Sequence, residues 1–210
     1  TLMLLTGSLP YLALQVRAVS ESTQVLSGDS SPEVIAIVFC IMVSVFAIIF
    51  GARHVTLREK HSGLVAAIAF ESLVKIVALL MVAWLAITVG FGGLGGLQAW
   101  LEANPEKLTE FHQGASSQAW AGLMFLAFAA AFLLPRQFHM LFTESLDDNN
   151  LRTASWAFPL FLLLLAAAIP PILWAGQALA LPVPVDYTVL SIASLTDSAA
   201  MVLLTYLGGI

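Results

Sequence analysis

Long apolar runs, separated by short polar connections, fill most of this sequence. About 20 apolar residues in a helix cross the hydrocarbon core of a bilayer, and five of the runs reach or approach that length. No long stretch alternates polar and apolar positions with period two, which argues against a membrane barrel. The pattern therefore predicts an all-α, multi-spanning transmembrane helix bundle. The predicted helices cover residues 1–25, 33–50, 62–88, 117–144 and 151–177, and the start of a sixth lies near residue 197.

Composition indicates that lipid is the solvent of these helices. Hydrophobic residues make up 60% of the chain and charged residues 10%, whereas about 25% of the residues in a soluble domain are charged. A single buried core cannot hold so much apolar surface, so the outer surface must contact the lipid bilayer. The net charge of −5 lies in the connections without a basic patch, which argues against a nucleic-acid partner.

Both ends of the sequence fall inside apolar stretches. Thr1 begins one such run and residues 206–210 lie in another. The chain shows neither an initiator methionine nor the layout of a signal peptide. We therefore expect residues 1–210 to be part of a transmembrane domain that packs against the rest of its own polypeptide.

Basic residues predict the orientation of the bundle. Arg53, Arg58 and Lys60 lie between the second and third predicted helices, and Arg136 and Arg152 lie around the connection between the fourth and fifth. The positive-inside rule assigns these two connections to the cytoplasm and the other three to the outside.

The connection after the third predicted helix has two parts. Residues 90–96 are rich in glycine but lack the Gly-Lys-Ser/Thr ending of a phosphate-binding loop. For residues 97–111 we expect a short external amphipathic helix with a break at Pro105, acting as a surface cap over the bundle.

Two ionisable residues lie near the middle of the third predicted helix. Glu71 and Lys75 are four positions apart and therefore share one face. Charges at this depth are costly and usually face a protein interior or a wet cavity. The pair is either part of an ion or substrate pathway or a structural pair that neutralises itself inside the bundle.

The first predicted helix carries Gln15 and Arg17. Arg17 either extends its side chain to the membrane surface or pairs with Glu21, one turn further on. Gln15 lies deeper, where its amide can bond a neighbouring helix or a solute.

Pro135 interrupts the fourth predicted helix, and Arg136, Gln137, Phe138 and His139 follow it directly. Proline removes a backbone donor, and broken helices of this kind form solute and ion sites in secondary transporters. The same residues also fit the end of a helix at the cytoplasmic surface, with Arg136 and His139 among the lipid headgroups. The sequence leaves both interpretations open.

Candidate catalytic and metal sites are lacking in the sequence. The histidines do not form an HExxH pair or another metal-binding spacing, and Cys40 is the single cysteine. No serine or cysteine stands beside a base in a known catalytic motif. An intramembrane enzyme therefore has little support, and we expect no cofactor in this chain.

Five segments of the chain, in this order, carry a family likeness. They are residues 10–20 (PYLALQVRAVS), 51–54 (GARH), 63–75 (GLVAAIAFESLVK), 134–139 (LPRQFH) and 151–160 (LRTASWAFPL). Together they resemble the solute:sodium symporter family, and in particular the branch whose transporter unit is fused to a sensor histidine kinase. The likeness spans nearly the whole chain.

This resemblance implies a LeuT-like fold of two inverted five-helix repeats, with the first three predicted helices closing one repeat and the next three opening the other. It implies that Gln137 and Phe138 lie at a solute site or its gate, and Arg136 and Gln15 are the next candidates for solute binding. It also implies sodium or a proton as the coupling ion and a bacterial inner membrane as the location. The proline-carrier branch carries a Trp-Thr-Asp sequence where residues 57–59 read Leu-Arg-Glu, so its specificity is not implied.

The resemblance thus predicts cation-coupled transport of a small organic solute, with an amino acid as the expected substrate. In the kinase-fused branch the same unit can also report solute to a histidine kinase domain elsewhere in the polypeptide. The alternative is a sensory membrane domain of a two-component kinase that binds solute without transporting it.

Replacing Gln137 with alanine should weaken solute binding far more than it reduces folding, because a small polar contact to the ligand is lost without opening a core. Solute affinity and the thermal unfolding midpoint of the full-length variant would be measured side by side. Unchanged affinity would remove Gln137 from the site.

Overall fold

The computed structural model describes residues 2–27, 31–51, 62–112, 117–133, 148–196 and 198–209. Every regular element within these ranges is helical, which confirms the all-α class. The helices are α1 (Leu2–Ser27), α2 (Pro32–Phe46), α3 (Ser62–Leu85), α4 (Leu94–Ala103), α5 (Pro105–His112), α6 (Ser117–Leu133), α7 (Asp148–Ala178), α8 (Thr188–Ser194) and α9 (Ala199–Gly209). Short π-helical turns, Ala47–Gly51 and Ala86–Gly90, extend α2 and α3, and a 3-10 turn, Val185–Tyr187, precedes α8.

Three helical segments among the described residues are long and apolar enough to cross a membrane. They are Pro32–Ile49, Val65–Gly90 and Arg152–Ala178, which match the second, third and fifth predicted helices. In the most apolar part of each segment, only 0%, 22% and 11% of the residues are buried. Most of their surface is therefore free to contact lipid or further protein.

Two shorter apolar helices fall within the fourth and sixth predicted helices. They are Ala119–Ala130 and Ala199–Gly209. Residues 134–144, the predicted end of the fourth helix, lie outside the described residues.

Proline has different consequences at different places in the fold. Pro32 lies in the first turn of α2, one residue before the predicted start at residue 33, where its missing N–H has no helical partner to lose. In contrast, α7 continues through Pro159, Pro170 and Pro171 to Ala178. Membrane helices tolerate internal proline because neighbouring groups satisfy the freed carbonyls.

The glycine-rich stretch after α3 forms a tight turn. Gly92 and Gly93 have φ angles of 70° and 116°, in the left-handed region that favours glycine. The Gly93 N–H donates to the Ile87 carbonyl at 2.9 Å, and α4 begins at the next residue. The chain therefore reverses within a few residues and places α4 against the end of α3.

The predicted external helix is present as two helices. Asn104 separates α4 from α5, and Pro105 begins α5, so the break lies where proline predicted it. The Phe91 and Trp100 rings have centroids 5.5 Å apart and hold α4 to the turn that follows α3.

The described core lies where α3, α7 and α8 meet, and α9 packs against α3 and α8. Alanine is the commonest residue in this core, which allows the helix backbones to approach closely. Its buried members are Val82, Ala83, Ala86, Ala168, Ile172, Ala175, Ile192 and Ala193.

Glycines mark two of the closest helix contacts. A Cβ atom added at Gly90 would lie 2.9 Å from Cβ of Ala175, and one added at Gly208 would lie 2.5 Å from Cβ of Ala78. Both distances are shorter than carbon atoms tolerate. These contacts therefore require glycine, and they join α3 to α7 and to α9.

The contacts also show which helix ends lie together. Gly90, after α3, touches Ala175 near the end of α7. Tyr187, shortly after α7, hydrogen-bonds to Glu21 near the end of α1. The ends of α1, α3 and α7 therefore lie together, and these are the helix ends that the charge pattern assigns to the outside.

Gly208 and Gly209 provide a matched pair of substitutions. Gly208→Ala should destabilise the protein by about 1–3 kcal/mol through overpacking against Ala78. Gly209→Ala should be neutral or slightly stabilising, because no atom lies within 4 Å of the added methyl group. The thermal unfolding midpoints in detergent would be compared. Combining Gly208→Ala with Ala78→Gly should recover part of the loss, and equal effects of the two single variants would contradict this packing.

Candidate functional site

The pair predicted on α3 is formed. Lys75 Nζ lies 2.7 Å from Glu71 Oε1, one turn away on the same helix face. Both residues lie within the apolar segment Val65–Gly90. A Cβ atom added at Gly208 would lie 3.5 Å from Cα of Lys75, so α9 passes directly beside this point of α3.

The pair is only half covered by the described residues. The side chains of Glu71 and Lys75 are 52% and 37% exposed. A charged side chain at the centre of a bilayer costs about 2.5–3.5 kcal/mol even on the most permissive scale. Such groups usually face a bundle interior or a water-filled cavity.

A second charged group lies near the end of α1. Arg17 Nε donates to Glu21 Oε1 at 2.6 Å, which is the second of the two arrangements that the sequence allowed for Arg17. The hydroxyl of Tyr187 donates to the other carboxylate oxygen, Oε2. Both oxygens of Glu21 are therefore engaged, one by its own helix and one by the 3-10 turn before α8.

The sequence analysis did not find Tyr187. It follows Glu21 by 166 positions, so no helical spacing relates the two residues. Asp186 and Tyr187 stand in a proline-containing connection with no periodic pattern. Only the arrangement of α1 and α7 brings this tyrosine to the carboxylate.

A second tyrosine joins the same part of α1. The hydroxyls of Thr23 and Tyr206 lie 2.5 Å apart. Thr23 also donates to the Val19 carbonyl at 2.7 Å, so Tyr206 is the donor in the bond between the two hydroxyls. Tyr206 lies on α9, which thereby contacts α1 as well as α3.

An open groove of about 540 Å³ is lined by residues of α1 and α2. Its walls are largely apolar, with Arg17, Ser20 and Glu21 on one side and Glu33 on the other. Cys40 also lines it and is exposed. Gln15 is exposed on α1 but is not among the lining residues.

The remaining predicted site residues cannot be placed in this arrangement. Arg136, Gln137 and Phe138 lie outside the described residues, so their assignment to a solute site stays a prediction. Within the described ranges, no cluster of three or more His, Cys, Asp or Glu residues could hold a metal ion.

Comparison of the chain with protein-family models, with curated proteins and with solved structures gives no match. The symporter likeness therefore stays a hypothesis based on the five sequence segments. The fold defines the class of protein: its regular elements are helical, and three helices among the described residues are long and apolar enough to span a membrane, which is consistent with contact with a lipid bilayer.

The hydrogen bond to Glu21 should be visible in the titration of Tyr187. Bonding to the carboxylate, with a smaller effect of burial, raises the pKa of Tyr187 from 10.0 to about 12. A raised folded-state pKa means that the stabilisation is present below pH 10.0 and is lost as the pH rises through about 12. The phenolate absorbance of wild type and of Tyr187→Phe would be measured as a function of pH. We expect the difference between the two curves to titrate with a pKa of about 12.

Tyr11→Phe is the control, because Tyr11 is exposed on α1 and is not part of this contact. If the difference between wild type and Tyr187→Phe titrates at the ordinary tyrosine pKa, the hydrogen bond is not formed in solution.

Proposed function

We propose that this chain is part of a cation-coupled carrier for a small organic solute, built on a LeuT-like inverted repeat in a bacterial inner membrane. The observation that supports this proposal most directly is the half-exposed Glu71–Lys75 pair inside a membrane-length apolar helix. The five segments that resemble the solute:sodium symporter family support it independently.

The chemistry of the pair suits coupled transport. Glu71 offers a carboxylate to a sodium ion or a proton, and a cation bound there competes with the Lys75 ammonium for the same oxygens. Releasing Lys75 from the pair makes a positive charge available to an anionic group of a solute. Binding of the cation and of the solute would thereby be linked, which is the thermodynamic requirement of a symporter.

An amino acid is the substrate class that fits this arrangement best. Its carboxylate and ammonium groups complement Lys75 and Glu71, which lie one helical turn apart. In the carrier, the repeats rock about the site and expose it alternately to each side of the membrane.

The test is uptake by the full-length protein in lipid vesicles. Labelled amino acids would be offered under a sodium gradient, a proton gradient or neither, with an ionophore to collapse each gradient. We expect gradient-driven uptake that falls about tenfold in Glu71→Gln, equivalent to about 1.4 kcal/mol in the transport barrier. If the wild-type protein binds solute but does not take it up, the proposed carrier function is wrong and a sensory domain is favoured.

Glu102→Gln is the matched control. Glu102 accepts a hydrogen bond from Gln98 at 2.9 Å, also one turn away, but on α4 outside the three membrane-length segments. Its loss should leave uptake unchanged. The exchange Glu71→Lys with Lys75→Glu separates the two roles of the pair: recovered uptake indicates a structural pair, and lost uptake indicates that each charge acts at its own position.

A further inference from the structure

Six of the described helices form two groups. One group is α1 with α2, which pack along each other. The other is α3, α7, α8 and α9, which pack around the alanine-rich core. Tyr187 and Tyr206 belong to the second group, and their hydroxyls bond to Glu21 and Thr23 of the first.

The two bonds act on a short part of α1. Glu21 and Thr23 are two residues apart within the last two turns of this helix. Their partners come from different elements, the 3-10 turn and α9, so α1 is held from two directions. Each partner is a rigid aromatic ring with a single hydroxyl, which loses little side-chain entropy on forming the contact.

The tyrosine on the 3-10 turn is firmly anchored. The next residue is Thr188 of α8, and Thr188, Leu190, Ile192 and Ala193 are all buried. A Cβ atom added at Gly176 would lie 2.5 Å from Cγ2 of Thr188, so this segment sits directly on α7. Movement of α1 away from Tyr187 would therefore leave the tyrosine in place.

The contacts cover one face of α1. Val19 is one turn before Thr23 and thus shares the face that meets Tyr206. Its side chain is 7% exposed, although most of α1 between Thr6 and Ala18 is exposed. The hydroxyl and carboxylate groups can exchange these hydrogen bonds for bonds to water at a small net cost. Breaking them would therefore expose this face without separating the alanine-rich core.

We propose that the bonds of Tyr187 to Glu21 and of Tyr206 to Thr23 form a latch that fastens the end of α1 to the second helix group. Opening the latch exposes the Val19 face of α1 to water. Its role as a gate rests on the proposed carrier function, whereas its existence does not. Arg17 supports the closed state by donating to the other oxygen of the Glu21 carboxylate, which holds this side chain in place.

The test uses a cysteine as a reporter of the covered face. Val19→Cys would be introduced together with Cys40→Ala, which removes the single native thiol of residues 1–210, and any cysteine elsewhere in the full-length protein would also be replaced. A membrane-impermeant maleimide would then label the full-length protein in vesicles. We expect slow labelling with the latch intact and labelling at least about fivefold faster in Tyr187→Phe, the population change that loss of one net hydrogen bond produces.

Two further variants make the result specific. Tyr206→Phe should also speed labelling, and the double variant should exceed either single one. Tyr11→Phe, on an exposed part of α1, should leave the rate unchanged. All three replacements keep the aromatic ring, and detergent gel filtration would verify that each variant remains folded.

The outcomes separate the latch from the carrier. If the Tyr187→Phe and Tyr206→Phe variants are labelled faster but the protein transports no solute, the latch is supported and its role as a gate in transport is rejected. Labelling rates that stay within twofold of the parent in folded Tyr187→Phe and Tyr206→Phe variants overturn the latch, whatever the protein transports.

Discussion

A peptide group in hydrocarbon has no water to bond, and this constraint governs the whole structure. Helices satisfy it locally, and every regular element in the described ranges is helical. Polar side chains within the helices follow the same rule, because their hydroxyls bond back to carbonyls one turn earlier. Ser72 donates to Ile68 at 2.9 Å, and Thr88 donates to Trp84 at 2.9 Å. A charged side chain cannot be stabilised by a bond to its own helix backbone alone and needs a partner of opposite charge. The ion pairs Arg17–Glu21 and Glu71–Lys75 meet this need within their own helices.

Backbone hydrogen bonding forms the helices but does not explain why they associate. Lipid chains are as apolar as leucine, so burying leucine between membrane helices gains little, and close packing of small residues takes over. The contacts of Gly90 with Ala175 and of Gly208 with Ala78 are of this kind. They determine the depth at which α9 crosses α3, and thereby place α9 beside Lys75. The position of the charged pair in the bundle is thus a consequence of glycine and alanine packing.

The candidate site was predictable in part. Glu71 with Lys75, and Arg17 with Glu21, are each four residues apart, and helical geometry alone brings such residues together. The tyrosines could not be found in this way, because Tyr187 and Tyr206 meet residues 166 and 183 positions away. Arg136, Gln137 and Phe138 remain site residues by family resemblance alone. The proposed function therefore depends on the charged pair and on the five sequence segments.

The sequence by itself determined the helical class and the break at Pro105, because helix periodicity and proline geometry are local properties. It predicted five membrane spans and the start of a sixth, of which the second, third and fifth match helices of membrane length in the described residues. It placed the start of α7 at residue 151, whereas the polar residues from Asp148 onward form its first turn. It missed α8, whose seven residues are too few for a periodic pattern. Only the tertiary structure decided which helices touch and which end of α1 the tyrosines hold. Those contacts depend on small residues and hydroxyls from distant segments meeting in space, and no local pattern encodes such a meeting.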